Sequence, residues 1–215
     1  MSRVVVAIAA LVLLGSVTQI KASPITYTLS SAVSGTLGGT SFTDALVTVT
    51  VTGDTANVTP GSAPYTDVVV NSGNATVDVS GVGTATFTDA VEIGDTLTDT
   101  AILGVPAVLI LDSTTGTGIL LETASIFTTY DLRSSLGPIS GTGGVASGSH
   151  VTPVFATTAG SLTWDVGQSL GAATFTAIAT PEPGTLQFLG AGLVALVWRR
   201  LSRQQTPISV LRRQR

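Results

Sequence analysis

The residues best suited to chemistry are carboxylates, because the 215-residue chain has 13 Asp and Glu, one His and no Cys. The densest group is the stretch DAVEIGDTLTD, which contains Asp89, Glu92, Asp95 and Asp99. Carboxylate oxygens are ligands that Ca²⁺ prefers, so these four residues are a candidate metal site. The EF-hand spacing and the calcium-binding nonapeptide repeat are both absent. Acidic turn residues in water are therefore the alternative interpretation.

The remaining residues give little support for catalysis. A hydrolytic triad needs a base, and the only histidine, His150, ends the flexible stretch GVASGSH, which would position an imidazole poorly. The absence of cysteine excludes thiol catalysis and cysteine metal sites. Acid–base catalysis by two carboxylates stays open in principle, but no pair stands out by its spacing. We predict that the chain is not an enzyme and needs no cofactor.

Any such site must be held by β-strands, because apolar and hydroxylic residues alternate through residues 23–179. In ALVTVTVTG, for example, Val47, Val49 and Val51 share one face of a strand, and threonines occupy the other. Glycine and proline pairs separate such runs, and Gly94–Asp95 and Gly143–Gly144 are read as two of these turns. The predicted strands are 25–30, 45–53, 75–81, 84–93, 107–112, 118–123, 125–131, 151–157, 161–166 and 172–179.

These features predict an all-β domain, an antiparallel β-sandwich of about ten strands. We expect an N-terminal signal helix before it and a C-terminal hydrophobic helix after it. Trp164, the only tryptophan of residues 23–179, is predicted to lie in the core. About 150 residues can bury enough apolar surface to fold without disulfides.

The charge of this domain limits its partners. Residues 23–179 contain one Arg, ten Asp and two Glu, a net charge of −11, and the other eight Lys and Arg lie outside them. A polyanionic surface repels phosphate groups, so we exclude nucleic acid and an anionic membrane as direct partners of the domain.

The first 22 residues have the order of a secretory signal peptide. A positive start is followed by the apolar run VVVAIAALVLLG and a small residue, so we predict cleavage between Ala22 and Ser23 after export by a Sec-type signal. An uncleaved N-terminal anchor is the alternative. About 12 apolar residues are short against the roughly 20 that a spanning helix needs, which favours cleavage.

The stretch TPEPGTLQFLGAGLVALVWRR follows the last predicted strand. Pro181 and Pro183, on either side of Glu182, fix φ and lack amide protons, so this segment is expected to be extended and accessible. The apolar run from Leu186 to Trp198 can form a helix of only about 20 Å, short against a hydrocarbon core of about 30 Å. As a single membrane anchor this helix is marginal.

Three arginines, Arg199, Arg200 and Arg203, follow the apolar run and would stay in the cytoplasm by the positive-inside rule. Together, the Pro-Glu-Pro motif, the short helix and the arginines resemble the PEP-CTERM sorting signal of Gram-negative bacteria. The resemblance implies that a membrane protease-transferase, an exosortase, cuts near the motif and passes the domain to the envelope or extracellular matrix. An ordinary C-terminal anchor is the alternative. Such signals usually end just after the arginines, whereas this chain continues to Arg215.

The resulting division is a signal peptide (1–22), an extracellular domain (23–179), a sorting signal with a transmembrane helix (180–203) and a basic cytoplasmic tail (204–215). The chain is expected to pass through the inner membrane transiently and then to reach the envelope, surface or extracellular matrix. We expect a structural or interaction protein of the envelope or exopolysaccharide matrix, with exosortase as a partner. The alternative is an extracellular module that binds polysaccharide or calcium.

Overall fold

The computed structural model describes residues 23–61, 67–71, 75–99, 105–145, 152–165 and 168–180, together with Gly192. The predicted signal helix lies outside these residues, and so does the predicted C-terminal helix apart from Gly192. Two short 3₁₀ helices, Thr55–Asn57 and Ser125–Thr129, interrupt the strands. The strands are β1 (Pro24–Leu37), β2 (Thr40–Asp54), β3 (Val58–Pro60), β4 (Asp67–Asn71), β5 (Thr76–Val79), β6 (Gly83–Thr86), β7 (Val91–Asp99), β8 (Val105–Asp112), β9 (Thr117–Thr123), β10 (Leu136–Gly144), β11 (Val154–Thr157), β12 (Gly160–Trp164) and β13 (Gly171–Ala179).

The strands form one continuous antiparallel sheet. Its order is β3-β4-β7-β8-β9-β10-β13-β1-β2-β5-β6, and the β11–β12 hairpin pairs with the C-terminal half of β1. The sheet curls, so that β2 contacts β4 and β7, and β1 contacts β9, across a shared interior. The predicted all-β antiparallel fold is confirmed. A sandwich of two separate sheets is not confirmed, because hydrogen bonds connect all the strands.

The alternating sequence determines which face of the sheet is buried. Val47, Val49 and Val51 on β2 are fully buried, and the threonines between them are partly exposed, as predicted. Trp164 is also fully buried, next to the rings of Phe42 and Phe155, which confirms its predicted core position. Burying β-branched and aromatic side chains on one face of a twisted sheet supplies the main stabilisation of such a fold.

A second aromatic group closes the other end of the interior. The rings of Tyr27, Phe127, Tyr130 and Phe175 contact one another with centroid separations of 5.5–6.4 Å. The Tyr27 hydroxyl donates a hydrogen bond of 2.5 Å to the carbonyl of Leu132, which satisfies a polar group inside the core. Phe127 belongs to the second 3₁₀ helix, which packs on β7 and β8.

Several local predictions are wrong. Residues 125–131, predicted as a strand, contain the second 3₁₀ helix, because their aromatic residues cap the interior instead of extending the sheet. Residues 84–93 form parts of two strands, β6 and β7, separated by a bend. The predicted turns at Gly94–Asp95 and Gly143–Gly144 lie inside β7 and β10. At Gly143 a Cβ would overlap the carbonyl oxygen of Leu121, so close packing requires glycine there.

Candidate functional site

The two ends of the folded domain lie side by side. β1 and β13 are antiparallel neighbours, and their register pairs Ile25 with Ala179. The amide of Thr180 donates to the carbonyl of Pro24 at 2.8 Å, which extends this pairing to the residue directly before Pro181. The residue after the predicted signal cleavage, Ser23, therefore lies close to the residue that precedes the Pro-Glu-Pro motif.

Hydrogen bonds from outside this strand pair hold both ends. Ser23 donates its amide to Thr55 Oγ1 at 3.1 Å and accepts a bond of 3.0 Å from the Thr55 amide. On the other strand, the Ala179 amide donates to Ser135 Oγ at 2.9 Å. Nothing in the sequence around Thr55 or Ser135 indicates that these residues bond to the ends of the domain, and only the fold shows these contacts. Hydrogen bonds thus hold the backbone at both Ser23 and Ala179.

Of the residues predicted for signal cleavage and for the sorting signal, the structure describes Ser23, and the others lie outside the described residues. The latter are Ala22, Pro181, Glu182, Pro183, Leu186, Trp198, Arg199, Arg200 and Arg203. Within the described residues, no helix has the length and apolar character needed to cross a membrane. The predicted cleavage sites and membrane helix therefore remain predictions.

The three members of the acidic stretch whose side chains the structure describes, Asp89, Glu92 and Asp95, do not converge on one point. Asp89 is exposed in a bend, and Glu92 and Asp95 lie three residues apart on β7, so their side chains face opposite sides of the sheet. The structure describes only the backbone of Asp99. Burial, and then the charge of Asp112, raise the pKa of Glu92 above its ordinary value. Among the described residues, no three His, Cys, Asp or Glu side chains form a set of metal ligands.

The outer face of β13, β1, β2, β5 and β6 carries an array of hydroxyl groups, which we call the hydroxyl face. Strand register places its members in two rows: Thr176, Thr28, Thr50, Thr76 and Thr86, and then Thr174, Ser30, Thr48, Asp78 and Thr84. Neighbouring members bond to each other, as Ser30 Oγ and Thr48 Oγ1 do at 2.9 Å. All these side chains are partly or fully exposed, and only one is charged. The face is therefore almost neutral on a domain with a net charge of −11.

Comparison with known proteins identifies the C-terminal segment. The model of the PEP-CTERM protein-sorting motif matches residues 179–201, which begin at the last residue of β13 and include the Pro-Glu-Pro motif, the apolar run and two of the arginines. Neither a curated protein nor a solved structure shows a significant match to the chain. The motif supports processing by an exosortase and export to the cell envelope or surface. The predicted sorting signal is confirmed, and the chain is a protein with a C-terminal PEP-CTERM motif.

Proposed function

We propose that the chain is a non-catalytic structural or interaction protein of the envelope or extracellular polysaccharide matrix, and that an exosortase removes its C-terminal segment. The observation that carries this proposal is the sorting motif, which begins where the last strand of the domain ends. The sequence adds a single histidine and no cysteine, so a thiol nucleophile is excluded and only one imidazole could act as a base.

The position of the two ends of the domain supports the same proposal. Ser23 and Thr180 flank the paired ends of the neighbouring strands β1 and β13, so a folded domain can remain connected to one membrane through both of its ends during export. Because β13 pairs with β1 on one side and β10 on the other, removing the segment after Thr180 leaves every strand pair that the structure describes intact. Processing can therefore release the domain without unfolding it.

This proposal is tested by locating the protein in host cells with and without the exosortase. We expect the domain at the surface or in the medium of the normal strain, and the full chain in the inner membrane of the strain that lacks the enzyme. A variant with a stop codon after Thr180 is the control, because it should leave the inner membrane in both strains. The same distribution of the full chain in both strains would contradict the proposal.

The hydroxyl face favours a second candidate function, the binding of a neutral polysaccharide. Its hydroxyl groups recur at about 6.7 Å along each strand and about 4.8 Å between strands, and each can donate and accept a hydrogen bond. A neutral sugar polymer presents hydroxyl groups of the same kind. It also avoids the repulsion that a polyanion would meet from the carboxylates elsewhere on the domain.

Co-sedimentation with an insoluble neutral polysaccharide tests this second function. We expect the double variant Thr28→Val, Thr50→Val to lose most of the bound fraction, because valine keeps the shape and β-propensity of threonine but removes its hydroxyl. The matched control is Thr88→Val, Thr114→Val, at two exposed positions outside the face. Equal retention of the two double variants would exclude the hydroxyl face as the binding surface.

A further inference from the structure

The junction between β9 and β10 is a short connection in the long sheet. It contains three residue pairs, whereas β8 with β9 and β10 with β13 each have six. In the sheet order, this junction separates two groups of strands. One group is β3, β4, β7, β8 and β9, and the other is β10, β13, β1, β2, β5 and β6; the three pairs are the hydrogen-bonded connection between them. The edge pairs β3–β4 and β1–β12 also have three residue pairs, but both strands that flank this junction in the sheet order have six with their other neighbours. Because the energy of strand pairing grows with the number of paired residues, we expect this junction to open more easily than its two neighbours.

Glu122 lies in the middle of this junction, paired with Gly143. Its side chain is fully buried, and neither carboxylate oxygen has a hydrogen-bond partner. On the neighbouring strand β10, the position beside the carboxylate is Gly141, which has no side chain that could donate a hydrogen bond. A Cβ added at Gly141 would lie 3.0 Å from Glu122 Oε1. Burying a carboxylate without partners is costly, whereas a protonated carboxyl group is tolerated far better.

The titratable groups on the surrounding strands do not supply a positive charge. Asp95 on β7 shares a cross-strand row with Val108 and Glu122, so it faces the same interior and is also buried. Tyr27 on β1 and Tyr130 after the second 3₁₀ helix belong to the core that fills this interior, and their hydroxyl groups donate to backbone carbonyls. None of these three side chains can carry a positive charge that would stabilise an ionised Glu122.

We infer that Glu122 makes the β9–β10 junction sensitive to pH, closed when this side chain is protonated and opened when it is ionised. Opening separates Glu122 from the interior and lets water solvate the carboxylate, which removes the cost of its burial. The inference concerns the folded domain alone and does not depend on its sorting or its ligand.

The direction of the pH dependence follows from the burial. Burial raises the pKa of Glu122 to about 7, from an ordinary value of 4.5. The closed state therefore binds a proton more tightly than the open state, and the stability of the junction decreases as the pH rises from 4.5 to about 7. Above that range both states are ionised, and the dependence ends.

Amide hydrogen exchange at the junction tests the inference on the full chain in detergent. After division by the intrinsic exchange rates, the opening constant of residues 121–123 and 142–144 should rise about fiftyfold between about pH 5 and about pH 8. Glu122→Gln should remove this rise, because the amide has a similar shape and does not ionise. Asp165→Asn, which changes an exposed carboxylate, should keep the rise of the wild type.

An equal rise in the wild type and in Glu122→Gln would overturn the inference. Should Glu122→Gln fail to fold, the carboxyl carbon of Glu122 in the wild-type chain gives the answer by NMR. A titration midpoint near 7 supports the inference, and a midpoint near the ordinary value of 4.5 overturns it.

Discussion

Gly35→Ala is expected to lower the free energy of unfolding of the domain by about 3 kcal/mol or more. Gly35 lies on β1 between β2 and β12, and it pairs with Phe42 on one side and Trp164 on the other. An added Cβ would overlap the backbone carbonyl oxygen of Thr163 and would lie 3.2 Å from the ring of Phe42. Because the obstacle is backbone, β12 must move away from β1, and this movement disturbs the packing of Trp164.

Gly171→Ala is the matched control for this substitution. A Cβ at Gly171 would meet nothing within 4 Å, so the change should be neutral or stabilise the domain by about 0.5 kcal/mol through the unfolded chain. Urea denaturation followed by circular dichroism measures both variants, with an unchanged slope as the sign of an unchanged fold. Equal midpoints for the two alanine variants would show that β12 does not pack on β1 as described.

Replacement of Pro181, Glu182 and Pro183 by alanine is expected to abolish release of the domain and to retain the full chain in the inner membrane. Proline fixes φ and lacks an amide proton, so two prolines disfavour both sheet and helix in this segment, and we expect it to be accessible to a membrane protease. Alanine is the strongest helix former and allows the apolar helix to extend towards the domain. Immunoblots of membrane and medium fractions measure the result.

Pro207→Ala is the control for the triple variant, because this proline lies beyond the matched residues 179–201. Its release should equal that of the wild type. Normal release of the triple-alanine variant would show that the Pro-Glu-Pro motif is not the recognised feature, even though the segment matches the sorting-motif model.

Local patterns in the sequence predicted some elements well. β1 alternates along its whole length between buried and partly or fully exposed residues, and β13 does so from Ala173 to Ile178. β2 alternates from Val47 to Thr52, where the sequence shows the pattern through its valines and threonines. The sorting signal was predictable for a similar reason, since the order of its motif, apolar run and arginines is contained within one continuous segment.

Other features depend on contacts between distant residues, which the sequence does not display. β10 was missed because its sequence, LGPISGTGG, has the composition of a turn, yet Gly141 and Gly143 lie against the backbone of β9. Glu122 was placed correctly in a strand, but its burial follows from the absence of side chains on those two glycines. Likewise, the pairing of Ile25 with Ala179 joins two residues from opposite ends of the domain.

The intact mass of the protein recovered from the surface or medium of its host tests the central claim most directly. Processing by an exosortase predicts a chain that begins at Ser23 and ends close to the Pro-Glu-Pro motif, without the apolar run and the arginines that follow it. This product should be absent from a strain that lacks the exosortase. A recovered chain that still ends at Arg215, with the same mass in both strains, would contradict the account and make the C-terminal segment a permanent anchor.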